Sequence, residues 1–419
     1  MYKDYQNLSN RFKRLMWSLK AIFPYIFKKN KYTISNRTIT VLIGEYPRSF
    51  IEWMIENETL RVQRETTLSL PGVTKYLIYF FEEMKEYKVS ENLILKEFPN
   101  SYEGMKEYVK FLYTLNPQFM QIHNVILSGY IDLLVKIVMK IDTIFMPRGM
   151  NYYNDYIFRQ DKSLRGKIKG NLNNFLNQQA LKKSRFVNAP AFFALESELA
   201  SSRSVYTSDY LYCQGAVSIQ MNIKETVLER LKDIHSQIIR YEKKIFMFTR
   251  VDKMKIDSAI DDYVSIESEL SNSCLVIIGD GPALDYFKIK FKEKKNIFFT
   301  GWIDKWDAFP FVKDFDIMLA PHGGYSIIEM GMLGIPTVAY NYDIMSDLIY
   351  NRYNGYLIDK ETKPEMKDIL IEYFSKSIAE RNNMKKNIKN SFYDRFCLET
   401  FQIEKRKLVS KLFGDYNNG

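Results

Sequence analysis

The stretch of this sequence that offers the most chemistry is FDIMLAPHGGYSIIEMGMLGIPTVAY, residues 315–340. Gly323 and Gly324 leave backbone N–H groups uncovered at the start of a helical run, where the helix dipole favours an anion such as phosphate. Ser326 can cap that helix. Glu329 falls on its first turn, and a carboxylate there can accept hydrogen bonds from the two hydroxyls of a ribose. A tight turn followed by a capping-region glutamate accounts for the same residues without a ligand. The elements that position them are short. Residues 315–320 are an apolar run of strand length, Pro321-His322-Gly323-Gly324 breaks it, and residues 327–333 read as a helix. Gly334-Ile335-Pro336 ends that helix before a buried strand at 337–340. Strand, glycine turn, helix and strand make a parallel βαβ unit, and ligands of such sheets sit outside the carboxyl ends of the strands.

With 419 residues the chain is long enough for two or three domains. Lys and Arg number 60 against 50 Asp and Glu, a net charge of +10. That excess points to an anionic partner: nucleic acid, a membrane surface or a phosphorylated substrate. No basic-aromatic module of a nucleic-acid-recognition type accompanies it, so nucleic acid is not expected. Cys213, Cys274 and Cys397 are far apart and odd in number. They supply neither a disulfide framework nor metal-ligand spacing, and a reducing cytoplasm fits. No apolar run has the length of a spanning helix. Lys20 and Pro24 break the N-terminal apolar residues, unlike the order of parts in a signal peptide.

Within residues 1–31 eight Lys and Arg face only Asp4. Phe12, Leu15, Met16, Leu19, Ile22 and Phe23 recur at helical spacing and so share one face, with Trp17 beside it. A helix lying in an anionic membrane surface has this pattern; a helix packed on the protein with its lysines in water is the alternative.

The rest of the chain alternates strand and helix twice. In the first series, strands are expected at 38–44, 92–96, 119–124, 143–146 and 184–189. Helices are expected from residue 50 and at 73–87, 102–115, 130–139 and 191–200. Arg48 falls on the first strand-to-helix loop, and His123 on a strand end. Residues 150–183 read as a polar surface loop and helix, and residues 224–240 as a charged helical linker. The second series has strands at 244–249, 274–278, 297–300, 315–320, 337–340 and 355–358, with helices at 257–269 and 284–291. Consecutive helices fill 369–412. The expected division is a basic amphipathic segment at 1–35, a first Rossmann-like domain at 36–235, a second at 236–385, and closing helices at 386–419.

Five pieces of the second series, in order, resemble the donor-binding domain of GT-B-fold retaining glycosyltransferases, the group 1 or family 4-like transferases. They are Phe248-Thr249-Arg250 with Lys255, Ile278-Gly279-Asp280-Gly281-Pro282, Phe299-Thr300-Gly301-Trp302, the 315–336 stretch, and Asn354-Gly355-Tyr356-Leu357. The resemblance covers about a third of the chain. It implies an α/β fold of two Rossmann-like domains facing a cleft, with C-terminal helices crossing back to the N-terminal domain. It implies that Arg250 and Lys255 hold a nucleoside diphosphate and Glu329 the ribose, with Gly279, Gly281, Gly301, Gly323, Gly324, Tyr325 and Ser326 around the donor.

Two departures stand out. The family places two glutamates around the glycine turn, and the first of these positions holds Pro321, with His322 next to it. In the acceptor domain Arg148 stands where many members carry a histidine. His322 takes over the sugar contact or caps the helix; Arg148 holds an anionic group or pairs with a nearby carboxylate. Arg48 and His123 are the acceptor-side candidates. No paired-aspartate signature lies at a strand end, so no metal is expected. The implied activity is transfer of a hexosyl group from a UDP- or GDP-sugar to a cell-surface glycan or lipid-linked acceptor, in the cytoplasm or on the inner face of the cell membrane. A non-catalytic homologue that serves as acceptor-binding partner of an active transferase is the alternative.

Overall fold

A computed structural model describes residues 8–26, 28, 37–45, 70, 72–123, 130–146, 163–164, 167–168, 171, 175, 179–180, 182–189, 209–212, 225–323, 325–341, 345–359 and 365–414. The chain divides into two compact units, Met1–Ala216 with Phe401–Gly419, and Val217–Thr400.

The first unit is built on strands β1 (Thr38–Glu45), β2 (Thr74–Phe81), β3 (Lys85–Ser90), β4 (Leu93–Pro99), β5 (Phe119–His123), β6 (Asp142–Met146), β7 (Phe186–Ala189) and β8 (Asp209–Tyr212). They form one sheet in the order β3-β4-β2-β1-β5-β6-β7-β8. Every neighbouring pair is parallel except the β3-β4 hairpin. Helices α1 (Leu8–Ile22), α2 (Tyr102–Leu115) and α3 (Tyr130–Met139) cover one face.

Residues 73–87, expected as a helix, instead hold β2 and the first half of β3. Leu77 and Tyr79 of β2 enter one core with Ile39, Leu95 and Phe119, whereas Ile78 and Phe80 enter another with Met105, Tyr108 and Val135. Side chains that alternate between two covered faces make a strand that reads as continuous apolar text. Glu97, wholly buried, holds the turn after β2. Its carboxylate accepts from the amides of Glu82 and Glu83, both at 3.1 Å, and from the Tyr79 hydroxyl at 2.9 Å.

The second unit has strands β9 (Lys243–Phe248), β10 (Ser273–Ile278), β11 (Ile297–Gly301), β12 (Ile317–Leu319), β13 (Thr337–Tyr340) and β14 (Tyr356–Ile358). All are parallel, in the order β11-β10-β9-β12-β13-β14. Its helices are α4 (Glu225–Ile238), α5 (Lys253–Ser265), α6 (Leu284–Lys290), α7 (Lys305–Val312), α8 (Tyr325–Leu333), α9 (Met345–Leu348), α10 (Met366–Ser375) and α11 (Ile378–Phe396). The stretch expected as a charged linker is α4, which buries Leu231 and Ile238 in this unit's core. α8 packs on α11 because Gly331 has no side chain: a Cβ there would stand 2.4 Å from the Phe392 ring. The last helix, α12 (Leu398–Phe413), returns to the first unit. Its Leu408, Val409 and Leu412 pack with Ile39, Val41 and Phe119.

Candidate functional site

The order of the second sheet reverses at β9, with β10 and β11 on one side and β12 to β14 on the other. At such a switch point the connections leave in opposite directions, and the crevice between them takes ligands. The loops after β9 and β12 therefore frame the candidate site. Ile317 and Met318 pair with Ile245 and Phe246, so the two strands end side by side.

Backbone bonds carry the ladder beyond the strands into the first loop. Thr249 N donates to Ile278 O at 3.1 Å, Val251 N to Asp280 O at 3.0 Å, and Ala283 N to Val251 O at 3.2 Å. Gly279 N donates to Gly301 O at 3.0 Å, and Asp280 Oδ1 accepts from Gly281 N at 2.6 Å. A Cβ on Gly279, whose φ is +144°, would lie 1.9 Å from Thr249 O, and one on Gly281 would lie 2.2 Å from Val251 O. Gly279 and Gly281 thus let two loops close on each other, and the bonds at Thr249 and Val251 pin the peptide at Arg250.

The Arg250 side chain is exposed. Lys255, half-buried on the first turn of α5, has its amine pushed below the usual 10.5 by burial; Asp252 acts against that shift and Arg250 adds to it. An anion bound beside this pair would favour the charged amine again.

In the second loop Gly323 N donates to Ala320 O at 3.0 Å, closing a turn through Pro321 and His322, and Gly323 has φ +60°. The Gly323 amide is therefore engaged, and Tyr325 and Ser326 carry the first amides of α8, of the kind that helix starts leave without an intrahelical partner. Gly324 lies outside the described residues. The closed turn lets the helix start at Tyr325. Ser326 is consequently inside the helix rather than its cap, and Glu329 is its fifth residue, not on the first turn. Glu329 is buried, only 5% exposed.

His322 is half-buried, with its ring edge-on to Tyr340. Tyr340 N donates to Pro321 O at 3.2 Å, and the Tyr340 hydroxyl lies 3.3 Å from Ser258 Oγ, one turn beyond Lys255 on α5. Tyr340 thus ties the second loop to α5. The sequence marks Tyr340 only as a strand end and gives no sign of Ser258; an aromatic at the carboxyl end of a strand is the one signal that could have found the pair. Arg48 and Arg148 lie outside the described residues. His123 ends β5 at the carboxyl edge of the first sheet, and its side chain lies outside the described ones. Cys274 is no nucleophile: burial pushes its thiol up to about 12. Among the described residues no three or more His, Cys, Asp or Glu are grouped to hold a metal ion.

The two sheets define a protein of two Rossmann-like domains, the GT-B class. Residues 232–391 match the family model described as Glycosyl transferases group 1. A sucrose-phosphate synthase from Thermosynechococcus elongatus is similar in fold, with a TM-score of 0.63 at 12% identity over 90% of this chain and 99% of that one. So is HepE of Anabaena in complex with UDP and glucose, with a TM-score of 0.62 at 13% identity over 89% and 99%. The lipopolysaccharide outer core galactosyltransferase WaaB in its apo form gives 0.59 at 13% over 89% and 99%. At these identities the likeness shows the fold. In sequence, an uncharacterized 41.2 kDa protein in the cps region of Klebsiella pneumoniae is 26% identical over 148 residues, which span 34% of this chain and 40% of that relative.

Proposed function

We propose that the chain is a glycosyltransferase that moves a hexosyl group from a nucleotide sugar to a glycan or lipid-linked acceptor. The observation that carries this reading is the placement of Arg250 and Lys255 at the switch point of a Glycosyl transferases group 1 domain. When the nucleoside diphosphate leaves, negative charge collects on its β-phosphate. Fixed cations and helix-start amides stabilise it without reorganising. Arg250, Lys255 and the amides of Tyr325 and Ser326 supply them, so turnover that survives chelators is expected. Glu329 would receive the ribose, and His322 the sugar in place of a glutamate at Pro321. A UDP- or GDP-sugar is the expected donor; the HepE structure with UDP and glucose supports the former. Retention of anomeric configuration follows from the resemblance alone. On the acceptor side Arg148 is proposed as a contact for an anionic group, because an arginine stays protonated and cannot act as a base at neutral pH. Arg48 and His123 stay as acceptor-side proposals.

The test is a thermal-shift panel of nucleotide sugars on the full chain, followed by product analysis with the ligand that binds. A ligand of the folded state raises Tm by mass action; no shift with any nucleotide sugar would sink the reading. One second reading is favoured by Pro321 and the burial of Glu329: a homologue that binds nucleotide sugar but transfers nothing. It predicts a Tm shift with no glycosylated product and no nucleoside diphosphate released.

A further inference from the structure

α1 continues through a 3-10 turn, Phe23–Tyr25, to Ile26, whose amide donates to Phe23 O at 3.3 Å. One side of this helix is packed. Ala21 and Ile22 join the core that holds Met105, Tyr108 and Val135. Ser18 Oγ, fully buried, donates to Arg14 O at 2.8 Å, and the Tyr25 and Tyr113 rings lie 4.8 Å apart. The expected membrane face included Ile22, and the structure corrects that.

The opposite side carries Met16, Leu19, Phe23 and Ile26, at spacings of three, four and three, and they are 39% to 65% exposed. Such spacing aligns them in one stripe along the helix. A line of large apolar side chains left in water marks an interaction surface. Lys13, Lys20 and Lys28 are exposed on the same segment, and residues 8–28 contain no Asp or Glu. A second copy of the chain would set these cations against themselves, whereas a bilayer rich in anionic headgroups satisfies stripe and cations together. No described helix is long and apolar enough to cross a membrane, so contact through the surface is the mode that fits.

We propose that this stripe rests in the headgroup layer of an anionic membrane, with Leu19 and Phe23 inserted and Lys13 and Lys20 at phosphate level. The proposal uses the first unit only and stands or falls apart from the nucleotide site. The experiment is co-sedimentation of the full chain with vesicles of phosphatidylcholine and phosphatidylglycerol, against phosphatidylcholine alone. Binding to the mixed vesicles only, weakened by salt, is expected. The double variant Leu19→Ser, Phe23→Ser should lower partitioning on the order of tenfold or more, and Lys20→Glu roughly fivefold or more. Both sets replace exposed residues, and an unchanged Tm verifies the fold. If the double variant fails to fold, Lys20→Glu alone decides. Three results would overturn the proposal: no binding to anionic vesicles, unchanged binding by the folded variants, or a dimer in light scattering that the double variant converts to monomer.

Discussion

The ring of His322 stands edge-on to that of Tyr340, with centroids 5.8 Å apart and planes at 63°. The Tyr340 hydroxyl in turn lies 3.3 Å from Ser258 Oγ. The turn that replaces a family glutamate with Pro321-His322 is therefore braced against α5, the helix that carries Lys255. Tyr340→Phe removes the link to Ser258 and keeps the ring, so it should cost about 0.5–1.5 kcal/mol of stability at most. His322→Ala should lower kcat while leaving nucleotide affinity near wild type, because on the proposed reading it meets the sugar. Steady-state kinetics beside nucleotide titration decides; equal losses in both would return His322 to a structural role.

Arg250 is exposed while its peptide is fixed by bonds on either side. Truncating its side chain should leave the fold alone and remove charge-assisted bonds to phosphate. Arg250→Ala should therefore weaken nucleoside diphosphate binding by about 1.5–3 kcal/mol, roughly ten- to a hundredfold. Calorimetric titration measures this, and an unchanged Kd in a folded variant would remove Arg250 from the site.

Lys255 sets a pH dependence whose sign follows from its lowered amine pKa. In the folded protein the neutral form is favoured relative to the unfolded chain. The cost of burying the charge is present in full below the folded value and is relieved as pH rises through it. Bound diphosphate acts the other way and favours the charged amine. Nucleotide affinity should thus begin to fall at a pH below 10.5, the ordinary lysine value, with proton uptake on binding. Lys255→Arg keeps a charge that does not titrate in this range, so it should abolish that part of the profile. A profile identical in the variant would assign the decline to the nucleotide itself.

Gly279 gives a test of the loop brace that needs no ligand. A Cβ there would stand 1.9 Å from Thr249 O, with φ at +144°. Gly279→Ala must push the loops apart or strain the backbone, at about 1–3 kcal/mol. Its Tm should fall, and nucleotide binding should weaken with it because the Arg250 peptide is displaced. Gly301→Ala makes the comparison: its added Cβ meets nothing within 4 Å, so only the cost of a positive φ remains. Differential scanning calorimetry of both variants separates contact from backbone strain, and equal Tm changes would refute the brace.

Much of the second unit was legible from residue types alone. Apolar runs of strand length, each ended by glycine or a polar break, placed β9 to β14 and the loop that holds Arg250, because a buried parallel strand needs nothing but its own side chains to announce it. The first unit was less so: residues 74–81 are apolar on both faces, and only the two helix layers around them explain why they extend. Long-range contact also decided what local pattern left open. Packing against α2 and α3 chose which side of α1 is buried. The close approach of two loops supplies a backbone reason for glycine at 279 and 281 that no local pattern gives. The pairing of His322 with Tyr340 joins residues eighteen apart in sequence; it exists because β12 and β13 are neighbours in the sheet. Residue type announces the strand or turn that a short stretch can form, whereas which side chains meet depends on strand order and layer packing, which no local period encodes.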